Sequence, residues 1–416
     1  MKRILQRAAL VTVVSLSALA IGLFLILRVP PPSRPLLPFA EDKACAVAIT
    51  DDTDFFQYFT TQPVYDVLDS LGIRLTKTIW VFDHEKNDPA KAGISLRDPH
   101  YRAWVLRARE RGHEITLHSA SSGDDTRERT LAAFDTIRAM TGEYPRLEIF
   151  HSGNREALYW GGKRIPNRFL RGLYDLKMKQ RFEGDEPSSP LYWLDVARAR
   201  VRYLRTFTFN ELDTWAVNPT MPYLDPSTPD APLWFASSNA RWGEKFAQLF
   251  AREKVERLKR SHGVSVVYTH FGLWFTERSA GGAHRLRSDV REAMTRIGSD
   301  PAIEFLPAGE LLDRLRWQQW IAAGLAAGER TIRLPRDAEG RLSDLSVEPA
   351  KLPRSWKLPE AARRGGRRDL ASWAHDAGLT LEFAERAYLD APARISGWER
   401  WRLTWTWLVT QLISPT

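Results

Sequence analysis

The stretch Ala44-Cys45-Ala46-Val47-Ala48-Ile49-Thr50-Asp51-Asp52 sets the reading of this chain. Its apolar run reads as a strand over residues 44–50, and the run stops at two adjacent carboxylates. Anions held side by side at a strand end repel each other and lose water, so a cation or a shared proton is needed to keep them there. The pattern points to a metal site. Downstream, Gly112-His113-Glu114-Ile115-Thr116-Leu117-His118-Ser119 places an imidazole, His118, after a strand over 114–117. Further on, Val264-Ser265-Val266-Val267-Tyr268-Thr269-His270 is a strand that ends in His270.

Between these points strand and helix alternate. Residues 64–71 carry apolar Val64, Val67, Leu68 and Leu71 at helical period, and Gly72 stops the helix. A strand over 76–82, a helix over 101–111 and a helix over 127–140 continue the series. Residues 164–218 are less regular. A helix over 243–261, the strand 263–269, a strand over 303–306 and a helix over 309–320 complete it. Repeated βα units imply a parallel sheet, open or closed into a barrel. Such sheets bind ligands at the carboxyl ends of their strands, where Asp51, Asp52, His118 and His270 fall.

The 416 residues are 44% hydrophobic and 27% charged, which excludes disorder as the default. They allow one core of roughly 250 to 300 residues plus a smaller appendage. The formal charge of +9 would suit an anionic partner, but no nucleic-acid-binding motif accompanies it. The single cysteine, Cys45, excludes an internal disulfide and a thiolate zinc cluster within the chain. Residues 8–27 carry no charge, and about twenty residues in a helix span roughly 30 Å of hydrocarbon. With Lys2, Arg3 and Arg7 before it, this run reads as an uncleaved single-pass anchor in the inner (cytoplasmic) membrane. The remainder is then periplasmic or extracellular.

The expected organisation is a stub and transmembrane anchor over 1–28, a Pro-rich spacer over 29–43, the α/β domain over 44–328, a linker over 329–353 and an Arg/Trp-rich helical tail over 354–416. In the tail, Trp398, Trp401, Trp405, Leu408 and Leu412 recur at three- and four-residue steps. That face reads either as a helix lying on the membrane or as one packing on the main domain.

Taken together, the motifs resemble the polysaccharide deacetylase family, whose domain has NodB homology. Ile49-Thr50-Asp51-Asp52-Thr53 occupies the place of the family's first motif, Gly112-His113-Glu114-Ile115 with His118-Ser119 that of its second, and Val266-Val267-Tyr268-Thr269-His270 that of its last. The resemblance covers residues 44–316. It implies a distorted (β/α) barrel, a divalent metal such as zinc, and removal of N-acetyl groups from a glycan. Carried over by position, Asp51 would be the general base, Asp52 and His118 metal ligands, and His270 the general acid. Two departures follow. Ser122 stands where the family's second motif usually ends in a further His, and Phe150-His151-Ser152-Gly153-Asn154-Arg155-Glu156 replaces its third motif. His151 either supplies the third ligand or binds substrate.

Other candidates have plainer readings beside them. Asp54 reads as a cap, with contact to the metal as its alternative, and His113 as facing away from the site. Asn154 and Arg155 lie in a loop after a strand, which favours substrate binding. Trp215 and Trp274 could stack on a sugar ring, although large aromatics are commonly core. The expectation is a metal-dependent hydrolase acting on an N-acetylated envelope or extracellular polysaccharide. Its rival is an inactive, glycan-binding or export-assembly subunit on the same fold.

Overall fold

The structure, a computed structural model, describes residues 34–84, 93–178, 180–384 and 393–413. Seven parallel strands close into a barrel in chain order: β1 (Cys45–Asp51), β2 (Thr76–Ile79), β3 (Glu114–Leu117), β4 (Leu147–Glu148), β5 (Tyr203–Phe209), β6 (Leu233–Asn239) and β7 (Val264–Thr269), with β7 returning to β1. An eighth strand, β8 (Ile303–Phe305), pairs with the start of β1, Ile303 opposite Cys45. β2 pairs only with the end of β1, Thr76 opposite Thr50 and Lys77 opposite Asp51. One side of β1 is therefore shared between two strands, and this stagger distorts the barrel. Helices cover parallel strands from outside, which leaves them little contact with water. All seven residues of β1 and of β6 are buried.

The expected alternation holds in outline and differs in detail. The single helix expected over 243–261 is two, Gly243–Leu249 and Arg252–Arg260. The irregular stretch 164–218 contains β5, and β6 follows it. Both are hard to read because they bury polar groups: Arg205, Thr206, Ser237 and Ser238 are all enclosed. The barrel supplies partners for some of these groups, for example Thr214 Oγ1 at 2.6 Å from Ser238 Oγ.

The segment 329–353 is no linker. Strand Thr331–Pro335 pairs in parallel with Thr380–Ala384, and Ser346–Val347 pairs with both Leu36–Leu37 and Arg368–Asp369. These strands enclose a second apolar cluster containing Leu334, Leu345 and Trp373. Helix Ala308–Ala327 serves both cores, giving Leu311 and Leu315 to the barrel and Trp317, Ile321 and Leu325 to the smaller cluster. Residues 34–39 of the expected spacer are likewise packed in, with Leu37 and Phe39 fully buried, whereas Glu41 and Asp42 are exposed. Residues 29–33 and the expected anchor, 8–27, lie outside the described residues. Among the described residues no helix is long and apolar enough to cross a membrane.

The tail helix Gly397–Ile413 packs on the main domain. It turns Leu403 and Trp407 inward, with only Leu408 among the described residues of the Trp398 face packed against the same core, and Trp407 meets Phe207 at 5.5 Å and Tyr174 at 5.7 Å between ring centroids. Trp398 is half exposed and stacks on Trp401 at 5.1 Å.

Candidate metal centre

Four strand ends deliver the site. The chain leaves β1 at Asp51 and runs through Asp52 and Thr53 to Asp54. His118 follows β3 directly, His151 lies just beyond β4, and His270 follows β7. Asp54, His118 and His151 offer ligand atoms within 4.8 Å of one another, and all three are buried. Asp54 Oδ2 lies 2.8 Å from His118 Nε2 and 3.1 Å from His270 Nε2, and Asp54 Oδ1 lies 3.0 Å from His151 Nε2. Two features bring Asp54 there. Phe55 adopts a left-handed backbone, φ 60°, which reverses the loop. Gly272 lets that loop press on the turn after β7, because a Cβ at Gly272 would sit 2.0 Å from the Phe55 carbonyl oxygen.

The hydrogen bonds around the imidazoles fix which nitrogen faces inward. His118 Nδ1 is 2.8 Å from the Ile149 carbonyl oxygen, which can only accept, so Nδ1 carries the proton. Asn154 donates its amide to the Ser121 carbonyl and to Glu156 Oε1, which leaves Asn154 Oδ1 as an acceptor 2.7 Å from His151 Nδ1. In neutral rings, both Nε2 lone pairs then point at the Asp54 carboxylate, lone pair against lone pair. Only protonated rings or a cation between the groups relieves this, and a carboxylate with two imidazoles is a donor set suited to a divalent ion. Burial works to raise the Asp54 carboxyl, but the pull of His118 and the bonds from all three imidazoles outweigh it and hold it well below the usual carboxylate range.

The adjacent aspartates diverge. Asp51 is saturated: Lys77 Nζ lies 2.9 Å and Tyr65 Oη 3.0 Å from its Oδ2, and the Phe271 N–H donates to Oδ1 at 2.8 Å. Asp51 is thus held in a closed polar knot and does not line the cavity, which corrects the expectation that it acts on substrate. Asp52 Oδ2 accepts from Arg205 Nη2 at 2.9 Å. The carboxylate that meets His118 and His151 is Asp54, not Asp52 as the sequence motif implied; the side chain of Asp52 turns to the β5 cation. Asp52 Oδ1, Arg205 Nε and Nη1, and His270 Nδ1 are buried without a hydrogen-bond partner among the described residues. All three residues line one cavity of about 250 Å³ together with Asp54, His118 and His151.

The remaining candidates are placed as follows. Asn154 is fully buried and braces His151, so it is no substrate contact. Arg155 Nη2 pairs with Glu183 at 2.6 Å, outside the cavity lining. Trp215 lines a separate cavity beneath the Arg34 guanidinium, 3.9 Å from its ring centroid. Trp274 is 63% exposed and meets Trp242, a lining residue, at 6.1 Å. Arg205 escaped the sequence reading altogether. Its only signal was a lone cation in a strand of aromatic, aliphatic and threonine residues, Tyr203–Phe209.

Fold and site define a closed parallel α/β barrel with an aspartate and two histidines at its strand ends that could hold a metal. No protein-family model and no curated protein matches the chain. Solved structures similar to it include the allantoinase Puue, at 12% identity over 69% of this chain and 93% of that one, TM-score 0.39. The peptidoglycan deacetylase PdaC from Bacillus subtilis aligns at 13% identity over 67% and 96%, TM-score 0.31. A family 4 acetyl xylan esterase from Clostridium thermocellum, in complex with a cobalt ion, aligns at 14% identity over 64% and 89%, TM-score 0.30.

Proposed function

We propose that the protein is a metal-dependent hydrolase that removes N-acetyl groups from sugars of an envelope or extracellular polysaccharide. The observation that carries this reading is the convergence of Asp54, His118 and His151 beside an Asp52–Arg205 pair that lines the same cavity and whose Asp52 Oδ1 is buried without a partner among the described residues. Asp54 Oδ1 or Oδ2 and the two Nε2 atoms would hold a divalent ion. An Asp with two His and an open position suits zinc, and cobalt, nickel and iron accept the same donors. Such an ion supplies Lewis acidity and lowers the pKa of bound water toward neutrality.

The chain's own groups divide the proton work. Asp52, paired with Arg205 and without a partner at Oδ1 among the described residues, takes a proton from the attacking water. His270, which meets Asp54 Oδ2 through Nε2 and has no partner at Nδ1 among the described residues, delivers a proton to the departing amine nitrogen. Burial of both groups excludes bulk water, so each transfer goes to the reacting atom rather than to solvent. Placement of this domain outside the inner membrane belongs to the same proposal and rests on residues 1–28 of the sequence.

The test is the metal content of the purified protein together with acetate release from chitooligosaccharides. Stoichiometric metal with acetate release supports the reading. Metal-free protein that still binds the oligosaccharide without turnover would favour a glycan-binding subunit.

A further inference from the structure

The cavity at the candidate metal centre carries more positive charge than its chemistry needs. Its two carboxylates are both engaged, Asp52 by Arg205 and Asp54 by the imidazoles. Three cations of the same lining have no carboxylate partner among the described residues: Arg164, which donates to the Gly161 and Thr206 carbonyls, and Arg241 and Lys245. Arg241 Nε and Lys245 Nζ are buried without any hydrogen-bond acceptor there, and Lys245 Nζ sits 4.2 Å from the centroid of the Trp242 ring. Two half-buried cations on one cavity, each with a buried nitrogen that finds no acceptor, are unfavourable unless an anion completes them. Burial and the nearby Arg241 both press the Lys245 ammonium below its usual range, as expected for a pair lacking a counter-charge.

The surroundings say what carries that anion. Trp242 lines the cavity, and Trp274 meets it edge-on while standing exposed. Aromatic faces next to two cations fit a sugar ring with an oxyanion substituent. We infer that Arg241 and Lys245 select an anionic glycan, with a carboxylate or phosphate on the sugar beside the one that enters the metal centre. This inference rests on the deacetylase reading for the identity of the cavity as a glycan site. A planar guanidinium next to an ammonium accepts either oxyanion.

The experiment is calorimetric binding of three tetrasaccharides to the full-length protein: neutral chitotetraose, its 6-phosphate, and one alternating N-acetylglucosamine with glucuronate. At least one acidic ligand should bind on the order of tenfold or more tighter than chitotetraose, from charge-assisted hydrogen bonds of the usual strength. The arm with the larger gain identifies the oxyanion. R241Q/K245Q should erase the preference, and K245Q alone should reduce it, with metal stoichiometry retained as the check on folding. Equal affinity for all three, no binding of any, or a preference that survives R241Q/K245Q would overturn the inference. Failure of the deacetylase reading looks different, as acidic glycan bound tightly with no acetate released. Failure of the charge reading alone gives acetate at equal kcat/KM from neutral and acidic substrates.

Discussion

Lys77 Nζ lies 2.9 Å from Asp51 Oδ2, with both side chains almost wholly enclosed. Their parallel register, Asp51 opposite Lys77, places the pair where the end of β1 meets the start of β2. This bond turns the first of the two adjacent aspartates into a strut of the barrel and leaves the second and a third, Asp54, to the cavity.

Removing one partner of a buried ion pair leaves an uncompensated charge, which typically costs about 3–5 kcal/mol. Lys77→Met is therefore expected to lower unfolding stability by about that much in denaturant titrations, and Lys77→Met with Asp51→Asn should recover part of the loss. Asp51→Asn should retain bound metal. Loss of metal in Asp51→Asn at unchanged stability would return Asp51 to the site.

The three aspartates separate by assay. Asp54→Asn should abolish stoichiometric metal, whereas Asp52→Asn should keep it and lower turnover on the order of a hundredfold or more. Metal analysis and kcat on each variant check this. The reverse pattern, metal lost with Asp52→Asn and kept with Asp54→Asn, would restore the order implied by the sequence motif.

Asn154 holds His151 in the tautomer that directs Nε2 inward. Such outer partners of a ligand usually contribute about 10–100-fold in metal affinity. Asn154→Ala should weaken binding by that factor in chelator competition, and Asn154→Asp, which keeps an acceptor, should weaken it less. An unchanged affinity in Asn154→Ala would remove the brace from the scheme.

Behind this brace, burial and the charge of Asp125 push the Glu156 carboxyl up to about 8, and burial raises Glu148 as well. The folded state thus binds more protons than the unfolded one between the ordinary value of 4.5 and about 8. Stability should fall as pH rises through that window. In the metal-free protein, Tm should decline across it, and Glu156→Gln should flatten the decline, leaving the share of Glu148. A Tm that climbs with pH there would contradict the assignment.

Much of the fold was legible because periodicity is local. The helix over 127–140 is observed as Arg127–Thr141, and the strand over 114–117 as Glu114–Leu117. His118 and His270 were legible as imidazoles directly after apolar strands. β5 and β6 were not, because their buried Arg205, Ser237 and Ser238 look like loop residues until a barrel encloses them. The tail helix misled in the opposite sense. Its Trp398 stripe carries the obvious period, yet the face that packs inward holds Leu403 and Trp407, since the contact is set by the shape of β5 and Tyr174.

The sequence by itself determined the βα alternation, the strands that end in His118 and His270, and the departures that directed attention to His151. Only the tertiary structure decided which aspartate faces those rings. A carboxylate's direction beyond a strand end depends on the loop it enters and on the cations opposite it. Here these are the left-handed Phe55 against Gly272, Lys77 one strand away, and Arg205 far along the chain. No spacing in the sequence encodes those distances, because each is set by a residue that becomes a neighbour only when the barrel closes.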